Sequence, residues 1–316
     1  MPKILLITTG GTIACSDKNE ARRPESSADV FVEALSGIDC EITVVEPFCL
    51  DSTDMTPRNY LELSRIIRGN YDNFDGFVIT HGTDTMAYAA AALSCLVVNS
   101  EKPVVLTGSM KPFSSENSDA PENLRNAFIF ALDPSAQGVT VVFGKFAFDG
   151  RRITKIHTTA KNAFESVGAP PVAAFENGKV TFTEPVIKHS GEVCFHEELD
   201  ERIEVIYLVP GVSPPIVRKD TRAVVILGFG TGGFPAAFEE FLKQLVDRGV
   251  YIIMSTQVLR GGTNLSLYET GCGITRKYPV IEAGKMNTEY LTMKAMVSLS
   301  LSDNFEEFGK IFLNNN

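Results

Sequence analysis

The stretch DGFVITHGTDTMAYAAAALS, Asp75–Ser94, decides the fold. Its first part, Gly76–Thr80, is a short apolar run and reads as a strand. Five polar or small residues follow, His81-Gly82-Thr83-Asp84-Thr85, and an alanine-rich run then predicts a helix over Asp84–Val98. The same alternation repeats outward in both directions. Before it stand strand Lys3–Thr8, helix Ser27–Leu35, strand Glu41–Val45 and helix Thr56–Arg68, which opens Thr-Pro as helices favour. After it come strand Pro103–Thr107, helix Pro121–Leu132 and strand Val139–Phe143. Strands and helices that alternate in this way predict a parallel sheet covered on both faces.

The pattern breaks between Glu184 and Glu204, a polar stretch with four acidic residues from Glu192 to Asp200. Strands Ile203–Leu208, Ala223–Leu227 and Tyr251–Met254 follow, with helix Pro235–Arg248 between the last two and one helical stretch over Lys285–Asn316. The expected fold class is therefore α/β. A larger N-terminal domain with a doubly wound, mostly parallel sheet covers residues 1–183, a linker 184–204, and a smaller C-terminal α/β domain 205–316. A chain of 316 residues suits two domains.

Charge narrows the function. Twenty-nine basic against thirty-nine acidic residues leave a net charge of −10, the wrong sign for nucleic acid or an anionic membrane surface. No apolar run approaches the roughly 20 residues of a membrane span. The apolar run Ile4–Ile7 is too short for a signal peptide, so a cytoplasmic protein is expected. The six cysteines, Cys15, Cys40, Cys49, Cys95, Cys194 and Cys272, include no CxxC pair and read as reduced, mostly buried thiols. Among His81, His157, His189 and His196 no pair has a metal-ligand spacing, and no metal site is expected.

Four polar turns follow strands of the first domain, and in open parallel sheets sites form at the carboxyl ends of strands. The first, Thr8–Ala14, has paired glycines that admit close backbone approach and a hydroxyl at Thr12. It reads equally as a phosphate-cradling loop or a plain turn, but lacks both GxGxxG and the Lys-Ser/Thr pair of a P-loop. In the second, Thr80–Met86, capping by Thr83 or Asp84 explains one polar residue but not five in seven. His81 there is read as a structural hydrogen-bonder. In the third, Leu50–Met55, Asp51 and Ser52 suit either a ligand's ammonium and carboxylate or a helix cap. The fourth, Thr107–Pro112, reads as a wall of the site.

Together TGGTIA (Thr9–Ala14), LDSTDMTP (Leu50–Pro57), DGFVITHGTDTMAYAAAALS, PVVLTGS (Pro103–Ser109) and ITKIH (Ile153–His157) resemble the bacterial L-asparaginase family, and its cytoplasmic type I branch most of all. A weaker likeness runs on at Tyr207–Val212, Gly228–Pro235 and Ser255–Gly271. The resemblance implies that Thr12 is the attacking nucleophile. It makes Thr83, Asp84 and Lys155 a second catalytic group, and Asp51 and Ser52 the holders of the substrate's α-amino and α-carboxylate groups. It further implies L-asparagine as substrate, no cofactor, and a homodimer or a dimer of dimers. The chemistry is coherent, because a threonine hydroxyl needs a base and an amide needs an oxyanion site. A neutral Lys155 can take a proton from Thr83, Asp84 can orient that lysine or fix the substrate's ammonium, and N–H groups of the glycine turns can serve as oxyanion donors worth about 3 kcal/mol each.

Two departures stand out. The family's lid tyrosine has no counterpart in Asp17–Ser26, where Arg22-Arg23-Pro24 occupies the matching place. Ala120 follows Asp119 where the family commonly has glycine. Other readings remain in view. Gly228-Phe229-Gly230-Thr231-Gly232-Gly233 satisfies GxGxxG and would fit a nucleotide-binding protein, although no acidic residue of a following βαβ unit supports it. A glutaminase-asparaginase or an amidotransferase-type amidase stays within the same chemistry. The amidotransferase subunits carry an added N-terminal domain, whereas TGGT begins at Thr9 here. A non-catalytic amino-acid sensor is favoured only if the missing tyrosine proves fatal to activity.

Overall fold

The computed structural model describes residues 1–14, 28–183 and 191–314. Cys15, Asp17–Ser26, His189 and the first part of the expected linker lie outside them. Of the five described cysteines only Cys95 is buried and Cys194 is exposed, against the expectation of mostly buried thiols. The chain forms two compact units, Met1–Glu197 and Glu198–Asn316.

The first unit is built on β1 (Lys3–Thr8), whose five residues after Lys3 are all buried. A strand apolar on both faces must be covered on both faces, which places it mid-sheet. The chain runs through α1 (Ala28–Ala34) to β2 (Glu41–Val45), then α2 (Pro57–Asn70), β3 (Gly76–Thr80) and α3 (Met86–Leu96). It continues through β4 (Val97–Val98), β5 (Pro103–Thr107), α4 (Ala120–Ala131) and β6 (Gly138–Phe143). The order β2-β1-β3-β5-β6 is parallel throughout. β1 lies between β2 and β3, so the connections leave it in opposite directions and open a crevice at the carboxyl ends.

Beyond β6 the sheet turns antiparallel through β7 (Phe146–Asp149). A two-stranded pair, β8 (Ile153–Lys155) and β9 (Phe164–Ser166), lies outside it; β10 (Ala173–Glu176) and β11 (Lys179–Phe182) complete the edge. These short strands fall where no element was expected. Part of the expected linker is also strand: β12 (Cys194–Phe195) pairs with β4, and the amide of His196 donates to the Leu96 carbonyl. The predicted helix Asp84–Val98 is shorter, starting at Met86 and giving way to β4.

The second unit has four parallel strands, β13 (Ile203–Tyr207), β14 (Ala223–Gly228), β15 (Tyr251–Thr256) and β16 (Val280–Glu282). Helices α5 (Glu239–Asp247) and α6 (Glu269–Lys277) connect the last three. The expected single helix over Lys285–Asn316 is two, α7 (Thr288–Ser300) and α8 (Phe305–Leu313). Asn304 makes the break: its side chain accepts the Glu307 amide and starts a new helix, as asparagine does better than it continues one. Phe308 and Phe312 of α8 then pack beside Leu291 and Leu299 of α7 under the sheet. Larger N-terminal and smaller C-terminal α/β units match the expected fold class.

Candidate active site

Four turns leave the carboxyl ends of β1, β2, β3 and β5, and they meet backbone to backbone. The Gly11 amide donates to the Leu50 carbonyl at 2.9 Å, and the Leu50 amide to the Thr9 carbonyl at 2.9 Å. The Thr9 amide and hydroxyl both donate to the Thr80 carbonyl, at 3.1 and 2.9 Å. A Cβ on Gly11 would lie 2.4 Å from the Gly82 backbone, and one on Gly82 2.6 Å from the Ser52 hydroxyl. A Cβ on Gly108 would lie 2.2 Å from the His81 carbonyl. Glycine at these positions is thus a packing requirement, since no side chain fits between the turns.

Thr12 follows Gly11 and opens a single 3-10 turn, Thr12–Ala14. Ile13 and Ala14 are buried and anchor the turn, leaving Thr12 partly exposed. Thr83 holds the corresponding place after Gly82. The contact between Gly11 and Gly82 therefore brings Thr12 and Thr83 within one residue of a common point.

Neither Thr83 nor Asp84 caps α3, whose N-cap position is Thr85 with no side-chain cap bond. The Thr85 hydroxyl donates instead to the Ser52 carbonyl at 2.7 Å and ties the second and third turns together. Thr83, only 5% exposed, turns its hydroxyl toward Lys155. The Lys155 Nζ donates to Thr83 Oγ1 at 2.9 Å and to Asp84 Oδ1 at 2.6 Å. The lysine side chain is 17% exposed and the aspartate 59%. No local signal in the sequence marks Lys155, which stood out through the resemblance alone. Its place depends on the β8–β9 hairpin, where it faces Phe164, and the Phe164 ring packs edge-on against Phe143 at the end of β6.

Asp51 and Ser52 belong to the turn after β2, which packs against Gly82 and Thr85. Asp51 is exposed and one of its oxygens accepts both the Thr53 amide and hydroxyl at 2.9 Å, so this carboxylate does cap the short turn Ser52–Asp54. Ser52 is buried against Gly82. His81 is fully buried, with Nδ1 bonded to the Gly82 carbonyl at 2.7 Å. Burial pushes its pKa down to about 4, so the ring is neutral, and Nε2 has no partner among the described residues. Sequence reasoning missed Asp119 and Asn123, which hold the fourth turn. Asp119 accepts the Met110 and Lys111 amides, and Asn123 donates to the Gly108 carbonyl. The signal was a carboxylate and an amide one helical turn apart at the start of a helix.

The GxGxxG stretch of the second unit is not shaped for a phosphate. Phe229 and Gly233 exchange backbone hydrogen bonds at 2.7 Å, and the Gly232 and Gly233 carbonyls lie 2.6 Å from where a Gly228 Cβ would stand. The loop closes on its own carbonyl oxygens, which repel an anion. Among the described residues no group of three or more His, Cys, Asp or Glu is placed to hold a metal, and no helix is long and apolar enough to cross a membrane.

Comparison with known proteins follows the same lines. Residues 3–188 match the family model described as asparaginase, N-terminal, and residues 202–312 the glutaminase/asparaginase C-terminal domain. An L-asparaginase of Thermococcus kodakarensis is 37% identical over 99% of this chain and 97% of its own. The solved structure of the thermostable L-asparaginase from that organism has a TM-score of 0.92 at 36% identity, covering 99% of this chain and 97% of that one. The probable cytoplasmic L-asparaginase of Campylobacter jejuni gives a TM-score of 0.85 at 26% identity, over 99% and 100% of the two chains. A glutamyl-tRNA(Gln) amidotransferase subunit of Pyrococcus furiosus is 33% identical over 100% of this chain and 76% of its own. With both family models matched and full-length likeness in sequence and structure, this chain belongs to the asparaginase family.

Proposed function

We propose that this protein is an L-asparaginase of the cytoplasmic type I branch, hydrolysing L-asparagine to L-aspartate and ammonia without a cofactor. The observation that carries the reading is the Lys155 amine shared between Thr83 and Asp84, beside the turn from which Thr12 emerges. Family membership supports amide hydrolysis. A base must come within hydrogen-bond reach of its partner, and Lys155 and Thr83 meet that condition at 2.9 Å.

In this scheme the Thr12 hydroxyl attacks the side-chain amide carbon, and backbone N–H groups of the glycine turns stabilise the oxyanion. The carbon–nitrogen bond breaks, the departing nitrogen takes the hydroxyl proton, and ammonia leaves an acyl ester on Thr12. Water, activated by Thr83 with Lys155 behind it, then hydrolyses the ester to aspartate and restores Thr12. Asp84 orients Lys155, and Asp51 and Ser52 hold the substrate's α-amino and α-carboxylate groups. By analogy with the family the protein works as a homodimer or a dimer of dimers.

The likeness to the amidotransferase protein favours a second reading, ammonia release from glutamine, within the same chemistry. Ammonia release from L-asparagine and L-glutamine, measured side by side for wild type and Thr12→Ala, separates the two. Asparagine turnover abolished in Thr12→Ala is the expected outcome. Glutamine as the better substrate would favour the second reading, and undiminished turnover in Thr12→Ala would remove Thr12 as the nucleophile.

A further inference from the structure

We propose that Asp119 is a positioning residue for the reaction, acting through the turn that follows β5; this rests on the reading of Thr12, Thr83 and Lys155 given above. Asp119 occupies the N-cap position of α4, where an aspartate ordinarily accepts amides of its own helix. It makes no such bond. The carboxylate, in a residue 4% exposed, instead points across to the fourth turn. Oδ2 accepts the Met110 amide at 2.9 Å and the Asn123 side-chain amide at 3.1 Å, and Oδ1 accepts the Lys111 amide at 3.0 Å. The Ala120 amide is left to the Ser118 hydroxyl, at 3.1 Å.

Asn123 completes the hub. Its side-chain NH2 also donates to the Gly108 carbonyl at 2.9 Å, and its oxygen accepts the Gly144 amide at 2.9 Å. Two adjacent turns of α4 thereby fix the segment from Gly108 to Lys111 and tie it to the end of β6. That segment matters because Gly108 is the surface on which the His81–Gly82 backbone rests, too close for a Cβ. The His81–Gly82 backbone carries Thr83. A buried carboxylate turned away from its own helix is costly unless every lone pair in use meets a donor, as it does here. The chain of contacts from Asp119 ends on the hydroxyl that Lys155 grips, while Asp119 itself touches neither residue.

The test uses Asp119→Asn and Asp119→Ser in the full-length protein. Asparagine and serine cap helices as well as aspartate, so both substitutions are silent if Asp119 only starts α4. Neither can receive the Met110 and Lys111 amides together: the asparagine variant sets an NH2 against one of them, and the serine hydroxyl is too short to span both. The expected result is folded protein with kcat for ammonia release from asparagine lowered about 10- to 100-fold, the loss typical of an ångström-scale misplacement, and KM changed less than about threefold. Deuterium uptake of the peptide spanning 107–113 should rise in both variants. Unchanged kcat in a wild-type-active enzyme, or unchanged uptake at 107–113, overturns the proposal. Wild type that releases no ammonia while uptake still rises would refute the reading of the site and leave the hub in place only as a brace of the turn.

Discussion

His81 makes stability of the first unit depend on pH with a sign and size that follow from burial. In the fold the ring is neutral with its pKa near 4; in the unfolded chain it returns to about 6.5. Between those values the unfolded state binds the extra proton, so stability falls as the pH falls, by up to about 1.4 kcal/mol per unit. Across the roughly 2.5-unit window the loss reaches about 3 kcal/mol, a large share of the 5–15 kcal/mol that holds a typical protein folded. Above about pH 6.5 the group contributes no slope. The perturbation that isolates it is His81→Asn, whose amide can still donate to the Gly82 carbonyl but does not titrate. Urea denaturation at pH 7.5, 5.5 and 4.5, followed by hydrogen exchange on peptides from β3 and β5, reads the first unit alone. Wild type should lose about 2.5 kcal/mol more than the variant between the extremes, since carboxylates and the other histidines cancel in the difference. Parallel losses in both proteins would refute the reasoning, for they would mean that the folded ring accepts its proton as easily as in water.

Two further outcomes follow from the site. Lys155→Met keeps the length of the side chain and removes the amine, so kcat for ammonia release should fall about 100-fold or more, with Tm shifted by only a few degrees because the lost ion pair is partly exposed; a variant retaining a tenth of wild-type activity would exclude Lys155 from the chemistry. Gly11→Ala would set a Cβ 2.4 Å from the Gly82 backbone and must push the first and second turns apart, so it should destabilise the first unit by several kcal/mol and abolish turnover, whereas Gly249→Ala, with open space around it, should cost only its backbone strain and leave turnover intact. Urea midpoints and ammonia release on the two variants check this.

The parallel core was legible because buried strands such as Ile4–Ile7 and Phe77–Ile79 are short continuous apolar runs, each followed by turn residues and a helical period. The convergence of the four turns was legible for the same reason: it follows from strand direction. What failed had physical causes. The edge strands β10 and β11 are only four residues each, too short for periodicity to register, although the Asn177-Gly178 pair between them, with φ of 50° and 73°, is a strong hairpin signal. The split of the last helix was written in Ser302-Asp303-Asn304, where side chains compete for backbone amides. Lys155 had no local signature at all, because its contacts with Thr83 and Asp84 are created by a hairpin folding back over α3. Asp119 stood out in the sequence only as the residue before Ala120, and its hold on the Met110 and Lys111 amides exists only in tertiary geometry.

The residues of this site are drawn from far along the chain. Thr12 follows β1, yet the lysine whose amine donates to the Thr83 hydroxyl arrives 143 residues later. At ordinary rates of translation, some 5–20 residues per second, that interval is roughly 7–30 s. During it β1 has its neighbours β2 and β3 before Lys155 exists. A prematurely terminated chain ending before β8 can therefore carry most of the first sheet and all four turns while lacking the lysine, and it should be catalytically silent. Activity then reports synthesis past Lys155 as well as folding, which makes ammonia release a convenient clock for the maturation of the first unit during synthesis.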